Sequence, residues 1–147
     1  MNIGSMIDER LIAFDFSVED KADAIKKIAH MVFESEKVSD EKEYVEGLLE
    51  REAEFETGIG NGIAIPHCKR KCVKQAAFTL VHLNHPIEWG AMDGAPVNYV
   101  IMLAAPDGED NVHIDILAAL ARRLMDSEFR SSLLNAKSID DIKKIFN

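Results

Sequence analysis

Cysteine, basic charge and long apolar runs are all scarce in this sequence. Two cysteines occur in 147 residues, at positions 68 and 72, which are too few and too close together for a disulfide framework. No apolar run approaches the roughly 20 residues that span a bilayer, and the N-terminus lacks the basic and apolar segments of a signal peptide. We therefore expect a soluble cytoplasmic protein that is not inserted in a membrane and whose thiols are reduced.

The shortage of basic residues limits the classes of partner. The chain has 17 lysines and arginines against 26 aspartates and glutamates, a formal net charge of −9 at pH 7. This balance argues against binding to nucleic acids and to anionic membranes. It permits attraction to a partner protein with a basic face, because complementary fields speed encounter.

Linkers and internal repeats are also missing, since no Pro- or Ser-rich segment divides the chain. A hydrophobic content of 47% is enough for a buried core and argues against disorder. The length is that of one domain. We expect a single domain over residues 1–147.

The spacing of apolar residues predicts alternating strands and helices. Strands are predicted at 10–16, 76–83 and 97–105, the last buried on both faces. Helices are predicted at 18–36, from Asp40 to about 51–53, at about 112–125, at 127–135 and at 138–146. Ser17 and Ser138 are expected to cap the first and the last of them. This order predicts a layered α/β domain in which helices cover a central sheet.

A glycine-rich segment, Thr57-Gly58-Ile59-Gly60-Asn61-Gly62, leads through a short apolar run to Pro66-His67. Glycine tolerates positive φ and close approach, and successive N–H groups in such a loop can form an anion-binding nest. Pro66 restricts its own backbone and that of the preceding residue, which stiffens the approach to His67.

The histidine after this segment suits phosphoryl transfer. An imidazole with an ordinary pKa near about 6.5 is largely neutral and nucleophilic at cellular pH, and phosphoryl transfer depends mainly on positioning and charge stabilisation. We therefore interpret His67 as a phosphoryl acceptor. The alternative is an ordinary turn beside a surface histidine.

Two other residues could assist such chemistry. His113 starts a predicted helix on the face of Leu117, where a strand end meets a helix start, and a helix N-terminus favours a neutral imidazole. Arg51, just before the glycine-rich segment, could bind phosphate oxygens through two N–H groups. The alternatives are a partly buried histidine satisfied by one hydrogen bond and an arginine favoured by the helix dipole.

A rival pattern consists of Cys68, Cys72, His82 and His85, as C-x3-C followed by H-x2-H. Both intervals are shorter than in zinc fingers, and His82 lies in a predicted strand. We favour small semi-buried thiols and polar strand ends over a zinc-binding module. Other motifs are absent: there is no G-x-x-x-x-G-K-[ST], no G-x-S-x-G and no H-E-x-x-H, and no EF-hand spacing.

The motif "RE-x4-TGIGNGIAIPHCK" at 51–69 closely resembles the signature of fructose/mannitol-type (type 2) enzyme IIA domains of the bacterial phosphoenolpyruvate-dependent sugar phosphotransferase system. "PIEWGAMDGAPVNYVIMLAAP" at 86–106 resembles the segment that follows in the fructose branch, and "H-x3-L-x2-L" from His113 resembles the second histidine motif. The resemblance covers nearly the whole chain. It implies a mixed central β-sheet flanked by helices on both faces, in one layered domain.

The resemblance also implies a role for each matched residue. His67 matches the phosphoacceptor, expected to be phosphorylated at Nε2. His113 matches the second active-site histidine and Arg51 the arginine that pairs with phosphate. Thr57 and Gly58 match the start of the adjoining loop, whose amides, including that of Gly60, are expected to balance charge on the phosphoryl oxygens.

The implied partners are proteins. The donor would be the phosphohistidine form of the carrier protein HPr, and the acceptor a cysteine of an enzyme IIB domain, which leads to sugar uptake by a membrane permease. No metal, nucleotide or other cofactor is expected. A nitrogen-regulatory branch shares the Pro-His motif but signals, and Trp89-Gly90 with "MDGAPV" favours the fructose branch.

Overall fold

The computed structural model describes residues 3–108 and 112–147, and at Val112 and His113 it describes the backbone alone. The helices of these residues are α1 (Lys21–Glu34), α2 (Glu41–Glu54), α3 (Val112–Leu124), α4 (Ser127–Asn135) and α5 (Ile139–Phe146). Their strands are β1 (Ile12–Phe16), β2 (Gly58–Gly60), β3 (Ile63–Ala64), β4 (His67–Arg70), β5 (Ala77–Phe78), β6 (Leu80–Ile87), β7 (Val97–Val100) and β8 (Leu103–Pro106). None of these helices has the length and apolar character needed to cross a bilayer.

The strands form two mixed sheets. The larger has the order β1-β6-β7-β3-β2 and the smaller the order β4-β8-β5. In the larger, β1 is parallel to β6 and β3 to β7, whereas β6–β7 and β2–β3 are antiparallel. In the smaller, β8 is parallel to β4 and antiparallel to β5. The predicted α/β class with a mixed sheet is confirmed, but the strands are divided between two sheets.

The division falls inside two segments that were predicted as continuous strands. The segment 97–105 is interrupted at Ile101-Met102, and the segment 76–83 is interrupted at Thr79. At this point the Thr79 N–H donates to the Met102 carbonyl at 2.8 Å, and the Met102 N–H donates to Thr79 Oγ1 at 2.9 Å. The sequence gives no sign of the break, because Ile101 and Met102 are as apolar as the strand residues on either side of them. Both are fully buried.

Helices cover the strands on both faces, as predicted. One core includes the apolar stripes of α1 and α2, with Ile25, Ile28 and Leu48 packed near Val81 and Val100. The other core includes Ile116 and Leu120 of α3, Leu133 of α4 and Ile142 of α5, together with Leu80 of β6 and Tyr99 of β7. Alternation along β6 and β7 sends successive side chains into opposite cores.

The helix starts follow side-chain caps. Asp40 and Ser138 cap α2 and α5 by accepting the N–H of the third residue of each helix, as the sequence predicted. The prediction for α1 is wrong, because Asp20 and not Ser17 is the cap. Asp20 Oδ1 accepts the Asp23 N–H at 2.8 Å, so the helix begins at Lys21 instead of residue 18 and ends at Glu34 instead of 36. Aspartate serves as a cap as well as serine does.

Candidate active site

His67 is the first residue of β4 and is held by backbone on both sides. It pairs with Leu103 across the small sheet, and the Leu103 N–H donates to the Pro66 carbonyl at 2.9 Å. Its ring Nδ1 lies 2.8 Å from the Ile65 carbonyl oxygen. A carbonyl can only accept, so Nδ1 carries the proton, and in the neutral ring the lone pair is therefore on Nε2.

A cavity of about 560 Å³ opens beside His67. The glycine-rich segment forms one wall through the side chains of alternate residues, Thr57, Ile59 and Asn61. Helix α3 and the following turn form the opposite wall, which is apolar: Leu117, Ala121, Leu124 and Met125. Arg51 and Arg130 add two guanidinium groups and Glu56 adds one carboxylate, so the cavity that His67 lines combines an apolar wall with mainly basic charged groups.

Arg51 lies in the last turn of α2 and lines this cavity together with His67. Its Nη1 donates to the carbonyl of Phe55, the C-cap residue, at 2.9 Å. This contact fits the helix-dipole interpretation, and the position beside His67 fits the phosphate interpretation. A guanidinium has five N–H donors, so one capping bond is compatible with both roles.

Thr57 lines the cavity, but its polar groups are bound to a buried carboxylate. The Thr57 hydroxyl donates to Glu52 Oε1, and the Thr57 N–H donates to Glu52 Oε2 at 3.2 Å. Lys21 Nζ forms an ion pair with Glu52 Oε2 at 2.9 Å and also donates to the Trp89 carbonyl. The role of Thr57 as a phosphate ligand therefore stays a prediction, whereas its contact with Glu52 is a structural fact.

Gly58 and Gly60 alternate with Thr57, Ile59 and Asn61, which line the cavity, and do not line it themselves. A Cβ on Gly58 would lie 2.8 Å from Ala91 Cβ, so the close approach of the 89–91 segment requires glycine there. Gly60 has φ of 95°, in the region that L side chains rarely adopt. Packing and turn geometry thus account for both glycines, and phosphate binding by them stays a prediction.

Asp93 ties the turn after β2 to the 88–96 segment. Its carboxylate accepts the N–H of Asn61 at 3.0 Å and that of Ala95 at 3.0 Å. These backbone hydrogen bonds, first the one from Asn61, lower the pKa of Asp93. The glycine-rich segment is therefore held from behind at both ends, by Glu52 at Thr57 and by Asp93 at Asn61.

His113 belongs to the first turn of α3, and its side chain lies outside what the structure describes. Its convergence with His67 stays a prediction. The structure does bring His67, Arg51 and Thr57 to one cavity, which the sequence could only suggest.

A second cavity of about 360 Å³ lies on the other side of His67 and Arg51 and has a charged lining. Glu50, Glu54, Lys69, Arg70 and Asp107 contribute to it. Arg70 Nη2 forms an ion pair with Glu50. The Arg70 side chain crosses α2 at Gly47, where an added Cβ would lie 2.6 Å from Arg70 Nε.

Sequence reasoning missed Glu52, Arg130 and Gly47. Glu52 follows Arg51 in the quoted motif, but it is one of four glutamates between 50 and 56, so the sequence assigned it no role and did not mark it as the buried one. Arg130 reaches the cavity from α4 and donates to the Leu124 carbonyl at 2.6 Å, which depends on helix packing. Gly47 could have been noticed, because a glycine in the interior of a helix destabilises it and therefore indicates a position where packing leaves no room for a side chain.

The zinc alternative is wrong. Cys68 and Cys72 are buried in the core beneath α1 and α2, whereas the His82 ring packs against Tyr99 of the opposite core with centroids 5.5 Å apart. Burial raises the pKa of the Cys68 thiol to about 12 and also raises that of Cys72. Among the residues with described side chains, no three His, Cys, Asp or Glu groups come together as a metal site.

The chain is similar to known proteins along almost its whole length. Residues 5–147 match the family model described as "Phosphoenolpyruvate-dependent sugar phosphotransferase system, EIIA 2". The chain is 33% identical over 147 residues to the fructose-specific EIIABC component of Bacillus subtilis, covering 100% of this chain and 23% of that protein. The chain thus spans less than a quarter of the length of this relative.

Solved structures show the same fold. Nitrogen regulatory protein IIA-Ntr of Neisseria meningitidis superposes with a TM-score of 0.90 at 28% identity, covering 99% of both chains. Enzyme IIA for mannitol from Escherichia coli, solved in complex with phosphorylated enzyme IIB, superposes with a TM-score of 0.82 at 22% identity, covering 95% of this chain and 96% of that one. At 22% identity, the match to the mannitol enzyme IIA supports the similarity of fold alone.

Proposed function

Because the chain belongs to the type 2 enzyme IIA family of the phosphoenolpyruvate-dependent sugar phosphotransferase system, a family of phosphotransferase components that carry a phosphoryl group, we propose that His67 is the residue that carries it. The observation that supports this most directly is the hydrogen bond from Nδ1 to the Ile65 carbonyl. It directs the lone pair of the neutral ring to Nε2, beside a cavity that also contains Arg51.

The transfer is a displacement at phosphorus. The Nε2 lone pair of His67 attacks the phosphorus atom of a donor phosphohistidine, the new N–P bond forms as the old one breaks, and the electron pair of the broken bond returns to the donor imidazole. The proton on Nδ1 stays in place, and its bond to the Ile65 carbonyl stabilises the positive charge on the modified ring. In the onward transfer, the sulfur of a cysteine thiolate attacks the phosphorus atom, the P–N bond to His67 breaks, and its electron pair returns to Nε2.

Arg51 and His113 are proposed to stabilise the phosphoryl oxygens. Arg51 lines the cavity with His67, and charge-assisted N–H bonds to such oxygens are strong. His113 is four residues before Leu117, and Leu117, Ala121 and Leu124 line the cavity at the helical spacing. This spacing supports the proposal that His113 belongs to the same stripe. Thr57, Gly58 and Gly60 complete the proposed phosphate-binding set.

The proposed donor is phospho-HPr and the proposed acceptor is a cysteine of an enzyme IIB domain, with the sugar permease reached only through IIB. Side chains around the cavity suit a protein partner. Phe55, Ile59 and Met125 are 75%, 44% and 81% exposed, and exposed apolar groups beside a reactive residue are typical of docking surfaces. A cytoplasmic location follows from this proposal, since both partners work there.

Between the two branches we propose sugar transport of the fructose type. The Bacillus subtilis relative is named fructose-specific and matches the whole chain, and Trp89-Gly90 with the following "MDGAPV" favours that branch. The regulatory alternative is supported by the Neisseria structure, which covers 99% of this chain.

Mixing the phosphorylated protein with purified IIB domains distinguishes the sugar-transport branch from the regulatory branch. Transfer to a IIB cysteine is expected, and transfer to none would favour the regulatory branch.

The site assignment is tested by labelling. Incubation with phosphoenolpyruvate, enzyme I and HPr is expected to give an acid-labile phosphate on the wild type. His67→Ala should abolish it. His85→Ala, which changes an exposed histidine of β6 that lines neither cavity beside His67, should leave it intact. Labelling that survives in His67→Ala would overturn the assignment.

A further inference from the structure

Glu52 is a carboxylate buried at the end of α2. It is 9% exposed, and it accepts three contacts: the Thr57 hydroxyl, the Thr57 N–H and the Lys21 ammonium. Burying a carboxylate is costly unless it is paired and hydrogen-bonded. These three contacts satisfy the buried carboxylate, and two of them fix the backbone and the hydroxyl of Thr57 in position.

Thr57 in turn holds Ile65. The Thr57 carbonyl accepts the Ile65 N–H at 2.9 Å. On the far side, the Pro66 carbonyl accepts the Leu103 N–H at 2.9 Å. The peptide between Ile65 and Pro66 has no N–H of its own, and proline restricts the residue before it to extended backbone. The Ile65 carbonyl is therefore fixed in direction, and it accepts Nδ1–H of His67 at 2.8 Å.

We propose that Glu52 is a positioning residue for His67. Through Thr57 and the backbone of Ile65, it fixes the carbonyl that holds the Nδ1 proton, and so it keeps the imidazole in the tautomer and orientation that present the Nε2 lone pair to the cavity. This inference rests on the proposed phosphoryl transfer at His67.

The arrangement has a chemical reason. A neutral imidazole exchanges its proton between two nitrogens, and only the form protonated at Nδ1 has a nucleophilic Nε2. If the Ile65 carbonyl moves by a fraction of an ångström, the bond that selects this form weakens. Near-attack geometry tolerates little displacement, so a remote carboxylate can control the rate without touching the phosphoryl group.

The test uses the ring nitrogens directly. Nitrogen-15 NMR of the full chain labelled at histidine should show His67 of the wild type protonated at Nδ1. In Glu52→Gln and in Thr57→Val, which removes only the hydroxyl, we expect a mixture of the two tautomers. Glu46→Gln changes the same charge at an exposed position of the same helix and should match the wild type. Thr57→Ser restores the hydroxyl and should restore the wild-type spectrum.

Kinetics provide the second readout. The rate of phosphorylation by phospho-HPr should fall about tenfold or more in Glu52→Gln and Thr57→Val, while KM for HPr stays unchanged because the docking surface is intact. A wild-type tautomer in both variants would overturn the inference, whether or not the rate falls, since a lower rate alone would reflect only a loosened fold. If the wild type accepts no phosphate, the proposed function fails, and the ring spectra still decide the role of Glu52.

Discussion

His67 and Arg51 stand between two cavities of opposite character. The larger has an apolar wall from α3 and exposed side chains at its rim, whereas the smaller is lined by acidic and basic groups. In the smaller one, Arg70 is already paired with Glu50, and charges that neutralise each other within the chain bind outside groups weakly. The difference supports our proposal that the apolar side receives the partner protein, whereas on the charged side the Arg70–Glu50 pair joins β4 to α2.

The largest expected effect contrasts Arg51 with Arg70. Arg51→Gln should slow phosphoryl transfer about 100-fold, because a charge-assisted donor at the transition state is lost. Arg70→Gln removes the same group from the charged cavity and should change the rate less than about threefold. Single-turnover phosphorylation by phospho-HPr measures both, and equal losses would erase the proposed difference between the two sides.

The second contrast uses two exposed methionines. Met125, 81% exposed, lines the apolar cavity, whereas Met92, 87% exposed, lies in the 88–96 segment and does not line it. Met125→Asp should raise KM for HPr about tenfold, because a charge disrupts the apolar centre of an interface. Met92→Asp should leave KM unchanged. Steady-state transfer at varied HPr concentration checks this, and a matching rise in both would refute docking at the α3 side.

A smaller effect is expected where Arg70 crosses α2. Gly47→Ala places a Cβ within 2.6 Å of Arg70 Nε and 3.0 Å of Cys68 Sγ, so the arginine must move and its pair with Glu50 is lost. Alanine adds up to about 1 kcal/mol of helix propensity, and a surface ion pair contributes about 0–1 kcal/mol. Urea denaturation should therefore show a net change within about 1 kcal/mol. A loss of several kcal/mol would mean that the charged side is a packed structural unit.

The smallest effect at neutral pH concerns the Cys68 thiol behind the charged cavity. Its folded pKa is raised to about 12 by burial, so it should not react with iodoacetamide in the native protein at pH 8. The pKa of a thiol in the unfolded chain is about 8.5. Below about pH 8.5 the thiol should therefore leave the free energy of unfolding unchanged. That free energy should fall as the pH rises from there towards 12, because the unfolded state then binds fewer protons than the folded state. Rapid native alkylation, or no loss of stability above pH 9 relative to Cys68→Ala, would contradict this.

Much of the fold could be predicted from local patterns. Apolar spacing located α3, α4 and α5, and capping residues placed the starts of α2 and α5 correctly. The division into two sheets could not be predicted, because the break at Ile101-Met102 lies inside a continuous buried run. Pairing partners decide where a strand leaves one sheet for another, and pairing is a long-range property.

The candidate site divides in the same way. The Pro66-His67 motif and Arg51 could be found from the sequence because unusual backbone chemistry and a matched motif mark them. Glu52 stands directly after Arg51 in the same motif, but its burial and its contact with Thr57 could not be predicted, since Glu50, Glu54 and Glu56 carry the same side chain and only the fold distinguishes them. The roles assigned to Gly58 and Gly60 came from a general property of glycine, whereas the structure gives each a specific steric reason.

The sequence by itself determined the family, the helices and the residue that most resembles a phosphoacceptor, because these depend on side-chain type at short spacing. Tertiary structure decided which nitrogen of His67 is protonated, since that depends on the Ile65 carbonyl, whose position is fixed by Thr57 before β2 and by Leu103 of β8. It also decided that one wall beside the histidine is apolar and the other charged. Hydrogen-bond direction and burial are set by contacts between segments, and those exist only once the chain is folded.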